Sequence, residues 1–441
     1  MSICKNRYAL ALRRVTDARH LAALVGCIAL FAAATANAQI IPGANAPAVT
    51  DPDRVAVLDR PRPEWEALGV PAGGFMLFPK LTIDAEYDSN ILATRTDPLA
   101  DEFFSFQPQI TAQSNWGQNA LSLVANATAD RYADHPSQNS DQYSVTTDGI
   151  LNASRDLTLS GEASYARVLI PRTSVVVGFS TTPLLYDLAT SKVSVEQTLN
   201  RIKIQSGLEF ENYAYLDGLG ANNTPISYRF RDNDQYKNET RVEYDFSPET
   251  ALFAEETLSY GHSVRPTYSY SFTNDTLIGI DFIPTHLVSA EFAAGYLSRS
   301  YSTPGSSVGD PDYRAKLIYY PARTLTLKLT AEQALVDSGL PTSPAYTSRT
   351  LEVEADYELL RDVIITGAVN TAWNSYEVID RHDTDIGAKL SVTYLVNRDI
   401  GVMFSVEHSE RSSQTTQPTS GNLVDAGFGK DIVSLSLVLQ R

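Results

Sequence analysis

RTLEVEADYELLRDVIITGAVNTAWNSY, residues 349–376, is the stretch on which the fold turns. In its first half Leu351, Val353, Ala355, Tyr357 and Leu359 alternate with Glu352, Glu354, Asp356 and Glu358. Successive side chains of a strand point to opposite faces, so this segment carries one apolar wall and one acidic wall; a helix would scatter both sets around its circumference. Leu360, Arg361 and Asp362 read as a tight reversal, and a second β-rich run, 363–376, comes back. The product is a hairpin with a polar inner face, and the chain repeats it from residue 79 to its end.

Short turns are expected near residues 115–118, 154–156, 200–201, 247–250, 284–285, 321–324, 360–362 and 396–399. Longer, mostly polar connections separate the pairs, at 170–183, 216–228, 302–311, 335–346 and 412–422. Short turns alternating with long loops are the mark of a bacterial outer-membrane barrel, whose short turns face the periplasm. The expected fold is therefore all-β, a transmembrane antiparallel up-and-down β-barrel over residues 79–441, of roughly 18 strands, with 16 the alternative. An even count puts both termini in the periplasm.

The alternation persists along the chain. Val242, Tyr244 and Phe246 oppose Arg241, Glu243 and Asp245; Ile386, Ala388 and Leu390 oppose Asp385 and Lys389; Val433, Leu435, Leu437 and Leu439 oppose Ser434 and Ser436 in the closing strand. One segment breaks the pattern. The adjacent Glu255 and Glu256 cannot both face inward, and either a β-bulge there or a different strand register would reconcile them. A soluble all-β protein would need a second layer to bury the apolar faces, and neither helical periodicity nor a solenoid repeat supplies one. Among 23 Tyr and 16 Phe, Tyr213, Tyr215, Tyr296, Tyr301 and Tyr376 stand near strand ends, where interfacial girdles belong.

The first 38 residues read as a secretory signal peptide: a basic segment, the apolar run 21–34, and Ala36-Asn37-Ala38 ahead of cleavage before Gln39. The 441-residue chain has a formal net charge of −17. Removing the leader takes five basic and one acidic side chain, leaving 30 and 51, and takes both cysteines, Cys4 and Cys27. No disulfide framework or cysteine metal site then remains, and such acidity argues against nucleic-acid or polyanionic partners. Residues 39–78, with Pro42, Pro47, Pro52, Pro61, Pro63 and Pro71, read as a Pro-rich periplasmic segment or as a plug docked at the barrel mouth.

Catalytic signals are thin. There is no Gly-x-Ser-x-Gly elbow, phosphate-binding Gly loop or His-Glu-x-x-His, and Arg381-His382-Asp383 reads as a strand start beside a surface turn. The expectation is a non-enzymatic barrel with no cofactor. A hydrolase, the remote alternative, would need a rim Ser or Asp within hydrogen-bond reach of a His. The informative chemistry is the lumen. Strand phase puts Glu162, Glu209, Glu211, Glu243, Asp281, Glu291, Glu332, Glu352, Glu354, Asp356, Asp385 and Glu407 inside, with Lys203, Arg241, Arg314, Lys316, Lys328 and Lys389. Opposite charges on neighbouring strands stiffen a barrel by pairing, whereas an acid excess favours cations.

Arg60-Pro-Arg-Pro-Glu-Trp, Gly73-Gly-Phe-Met-Leu-Phe-Pro and Tyr87-Asp-Ser-Asn-Ile resemble the opening of the family named "putative beta-barrel porin 2". Tyr244-Asp-Phe-Ser-Pro, Tyr394-Leu-Val-Asn-Arg and the closing run 431–440 are similar to its later hairpins and last strand. Members are similar to barrels of exopolysaccharide and capsule loci. The resemblance implies a part in polymer export or assembly, with outer-membrane lipopolysaccharide, periplasmic polysaccharide-export proteins and a polysaccharide as partners. The chain departs from many outer-membrane proteins by ending in Gln440-Arg441 rather than an aromatic residue. The alternative is a diffusion porin with an acidic, cation-preferring lumen, in which an inward loop makes a constriction. Residues 170–183 are apolar enough to supply it.

Overall fold

A computed structural model describes residues 55–175, 180–264, 268–302, 307–340, 343–415 and 427–441. The leader and its cleavage point at Ala38 and Gln39 lie outside the described residues.

Eighteen long strands form the wall. The first group is β1 (Phe75–Asp88), β2 (Asp101–Ser114), β3 (Ala120–Tyr132), β4 (Ser140–Asn152), β5 (Leu157–Ile170) and β6 (Leu184–Leu199). It continues through β7 (Ile202–Tyr215), β8 (Asn233–Ser247), β9 (Thr250–Ser263), β10 (Tyr270–Thr285), β11 (Val288–Tyr301) and β12 (Ser307–Ala322). The last six are β13 (Leu325–Asp337), β14 (Ala345–Leu360), β15 (Val363–Tyr376), β16 (Arg381–Leu395), β17 (Ile400–Thr415) and β18 (Phe428–Gln440). Each pairs antiparallel with the next, and β18 pairs with β1 through Leu81↔Leu439 and Ile83↔Leu437. The sheet closes on itself, so no edge is left to pair with another chain.

The connections at one end run two to five residues and those at the other four to seventeen, with the start of β1 and the end of β18 at the former, the short-turn end. The turn expected at 284–285 falls at 286–287, because β10 runs on to Thr285 with a register shift between Phe282 and Thr285. Similar shifts occur just before the turns after β8, β12 and β14. Such bulges add twist where a strand must reverse at the rim.

The side-chain phase sorts by chemistry. Val242, Tyr244, Leu252, Ile278, Phe292, Val353, Leu390 and Leu435 are exposed on the outside, where lipid rather than water removes the cost of apolar exposure. The expected bulge at Glu255 and Glu256 is absent. The β8–β9 register is continuous there, Glu255 points inward and is 5% exposed, and Glu256 faces outward opposite Thr240 and Thr276. The girdle assignment is also corrected. Tyr296 is outward, but Tyr213, Tyr215, Tyr301 and Tyr376 share the inward phase of Glu211, Arg299 and Asn374 and line the long-loop mouth.

Candidate functional site

The lumen has three zones: a short-turn end on which the chain before β1 packs, a middle with two unlike walls, and a mouth into which the described part of the β5–β6 loop turns.

At the short-turn end the chain preceding β1 folds back inside. Gly69 and Gly73 adopt φ of +72° and +63°, the left-handed region that glycine enters without Cβ strain. Val70–Ala72 then pairs against the start of β1. Upstream, Val57 joins Ile364, Leu395 and Val438 in an apolar cluster with Leu58, Trp65 and Met403 packed against it. These barrel residues lie beside the turns, on the inward phase. Val57 N donates to Thr326 Oγ1 at 2.9 Å. Arg62 is fully buried; its Nη2 donates to Val57 O at 2.8 Å and to Glu358 Oε2 at 3.0 Å, and Arg60 lies 3.6 Å from the same carboxylate. Burial pulls the Arg62 guanidinium below its ordinary pKa, and Glu358 offsets part of that fall. Arg398 Nε donates to Pro63 O at 3.1 Å, and Gln440 Nε2 to Trp65 O at 3.4 Å.

The middle is charged on one side. On β8–β12, Arg241 Nη2 meets Asp281 at 2.6 Å and its Nη1 meets Glu255 at 3.3 Å; Arg314 bonds Glu255 at 3.1 Å and Glu291 at 2.6 Å. Lys203 meets Glu243 at 2.6 Å. The Arg241 guanidinium also lies 3.5 Å over the Phe253 ring, a cation–π contact. That ring fits because Gly279 faces it: a Cβ there would stand 2.3 Å from Phe253 Cζ. On β13 and β14, Lys328 Nζ holds Glu354 at 2.6 Å and Asp356 at 3.0 Å, while Glu352 and Glu332 stand on the same inner phase without an ion pair among the described residues. Lys316 lies opposite Glu291 on the neighbouring strand. Further round, Glu209 is 3.7 Å from Lys192, Glu211 accepts from Tyr213 OH at 3.2 Å, Lys389 is 3.5 Å from Glu407, and Arg411 meets Asp385 at 2.6 Å. Glu162 lies opposite Lys192.

The facing wall, β2–β6, is mostly amides and hydroxyls. Gln109 Nε2 donates to Thr111 Oγ1 at 3.2 Å, Ser144 Oγ to Asn126 Oδ1 at 2.5 Å, and Ser160 and Ser194 share a bond of 2.9 Å. These groups exchange hydrogen bonds readily and carry no fixed charge.

At the mouth, the described part of the β5–β6 loop turns inward. Arg172 is clamped by Gln138 Oε1 at 2.6 Å and Ser180 O at 2.6 Å, and burial draws its pKa down to about 10. Arg411 Nη1 donates to Thr173 O at 2.6 Å, and Val175 packs on Val336, Leu340, Tyr346 and Tyr376 of the opposite wall. The loop thus reaches from β5 to the β13–β17 side.

The inward phase missed Arg62, Phe253, Glu255 and Glu358. Glu255 and Phe253 were legible by parity with Arg241, and Glu358 continues the row of Glu352, Glu354 and Asp356. Arg62 had only its place in the Arg-Pro-Arg-Pro block as a signal. On the rim, Ser375 Oγ is 3.3 Å from His382 Nδ1, and Asp380 is 3.6 Å from Nε2. A hydrolytic triad puts the carboxylate on Nδ1 and the hydroxyl on Nε2; here the two are reversed, and Arg381 and Asp383 are bound to each other instead.

No curated protein matches this chain. Among solved structures it is similar to OpdK of Pseudomonas aeruginosa with vanillate, at TM-score 0.44 and 10% identity over 83% of this chain and 99% of that one. It is similar also to the FrpB iron transporter of Neisseria meningitidis, at TM-score 0.47 and 10% identity over 82% of this chain and 81% of that one. Residues 62–441, from the buried Arg62 to the end of the closing strand, match the family described as "Putative beta-barrel porin 2", and the chain belongs to that family of outer-membrane β-barrels.

Proposed function

We propose that the protein is a narrow channel for small polar solutes in the outer membrane of a Gram-negative cell, with its short turns and both termini in the periplasm. The observation that carries this reading is the β5–β6 loop, drawn across the mouth by Arg411 and seated by Val175. A porin uses such a loop to set the size of what passes, and the walls behind it are mostly polar. The excess of lumen carboxylates favours cations. Reconstituted in planar bilayers, the protein is expected to conduct with cation preference. Silence in the wild type and in variants with the loop freed would sink the proposal.

A second reading, exopolysaccharide or capsule export with periplasmic export proteins as partners, is favoured by the amide and hydroxyl wall of β2–β6, which suits hydroxyl-rich chains. Deleting the gene separates the two: export predicts loss of surface polymer, a solute channel predicts loss of uptake. The export leader predicts a mature start at Gln39. N-terminal sequencing that finds residues 1–38 intact would count against it.

A further inference from the structure

The segment before β1 is bound unlike the rest of the chain. Residues 55–69 contribute no strand to the wall. Their hold on it rests on side chains: the Arg62–Glu358 pair, Thr326 to Val57 N, Arg398 to Pro63 O, and an apolar seat under Val57 and Trp65. Between this segment and the barrel stand two glycines at positive φ, so the segment can swing without a ladder bond of the eighteen strands breaking. Its seat is an apolar patch inside an otherwise polar lumen. Left bare, that patch would face water, which favours the docked position. The docked position is also the one in which Arg62 and Glu358 satisfy each other away from solvent.

We propose that residues 55–66 are an internal gate that closes the short-turn end of the lumen, latched by the Arg62–Glu358 pair. This rests on the channel reading above. Breaking the latch raises conductance several-fold, and refastening the segment by another bond restores the low level.

The test uses the full chain, whose only cysteines, Cys4 and Cys27, precede the described barrel. Val57→Cys reports the docked state, since Val57 is wholly buried. A membrane-impermeant maleimide is expected to leave it unlabelled in the otherwise native barrel and to label it once Arg62→Ala or Glu358→Gln is added. Heat-modifiable mobility checks that each variant is folded. Conductance in planar bilayers should rise with the labelling. In the Glu358→Gln background, a Val57→Cys/Thr326→Cys pair should return conductance to the native level on oxidation and release it on reduction. A segment that labels while conductance stays at the native level overturns the gate. A segment that stays protected in both unlatched variants overturns the latch. A barrel that labels on unlatching yet carries no current in any state sinks the channel reading instead.

Discussion

Glu255 and Glu256 are adjacent, yet one is buried in an ion-pair network and the other looks outward. The sequence pattern made this pair an anomaly because two charges were assumed to share the lumen, whereas strict alternation was the stronger rule. Parity yields a sharp contrast on β14. Val353 is 48% exposed on the lipid side, and Glu354 is held inside by Lys328. Val353→Arg is expected to cost about 2–4 kcal/mol if the residue sits near the bilayer midplane, and to impair assembly in heat-modifiable gel mobility, while Glu354→Gln folds normally. Equal behaviour of the two would invert the assigned faces. Gly279 gives a second prediction. A Cβ would meet Phe253 Cζ at 2.3 Å and Phe292 O at 2.5 Å, so Gly279→Ala should lose about 1–3 kcal/mol as overpacked sites do. Phe253→Leu removes the ring clash and leaves the backbone one, so the double variant should recover part of that loss in urea titrations. Full recovery would show that the ring alone sets the fit.

Among the elements, strands were legible and connections only partly so. Each strand announces itself through a local two-residue period, repeated often enough that the count of eighteen emerged from spacing. The turn after β10 slipped by two residues because Pro284 reads as a breaker, while the chain absorbs it beside a bulge. Aromatic residues near strand ends were read by position alone. Parity decides whether a tyrosine anchors in the interface or narrows the mouth, and four of the five named fall on the inner side. The β5–β6 loop was legible as apolar, but its anchors on β17 and β13–β15 lie far along the chain. Val175 sits against Val336, Leu340, Tyr346 and Tyr376. Val175 is half-buried, and a carboxylate there would give up these apolar contacts, so Val175→Asp should free the loop. Single-channel conductance and liposome swelling by small sugars should both rise. Unchanged values would mean that the loop does not set the narrowest point.

For the whole molecule, closure and the outer face followed from the pattern, whereas the inner arrangement required contacts between residues as distant as Arg62 and Glu358, 296 positions apart. No local period encodes such a meeting. The same holds for the division of the lumen into a wall mostly of amides and hydroxyls and a more heavily charged one, because strand phase says which residues face inward but not which of them pair. That pairing alters what the row Glu352, Glu354 and Asp356 is expected to do. Lys328 lies between Glu354 and Asp356, so their field is partly cancelled, while Glu352 and Glu332 make no ion pair among the described residues. Opposite signs of effect should therefore come from neighbouring positions. Glu352→Gln removes an uncompensated carboxylate and should lower the preference for cations over anions. Lys328→Gln uncovers two carboxylates and should raise it, provided that heat-modifiable mobility shows the barrel folded. Both shifts should be largest at low salt, since the screening length falls from about 30 Å at 0.01 M to about 3 Å at 1 M. Reversal potentials under a salt gradient measure both. If the two substitutions move selectivity in the same direction, the charged wall does not set the potential along the path, and the constriction at the mouth must do so.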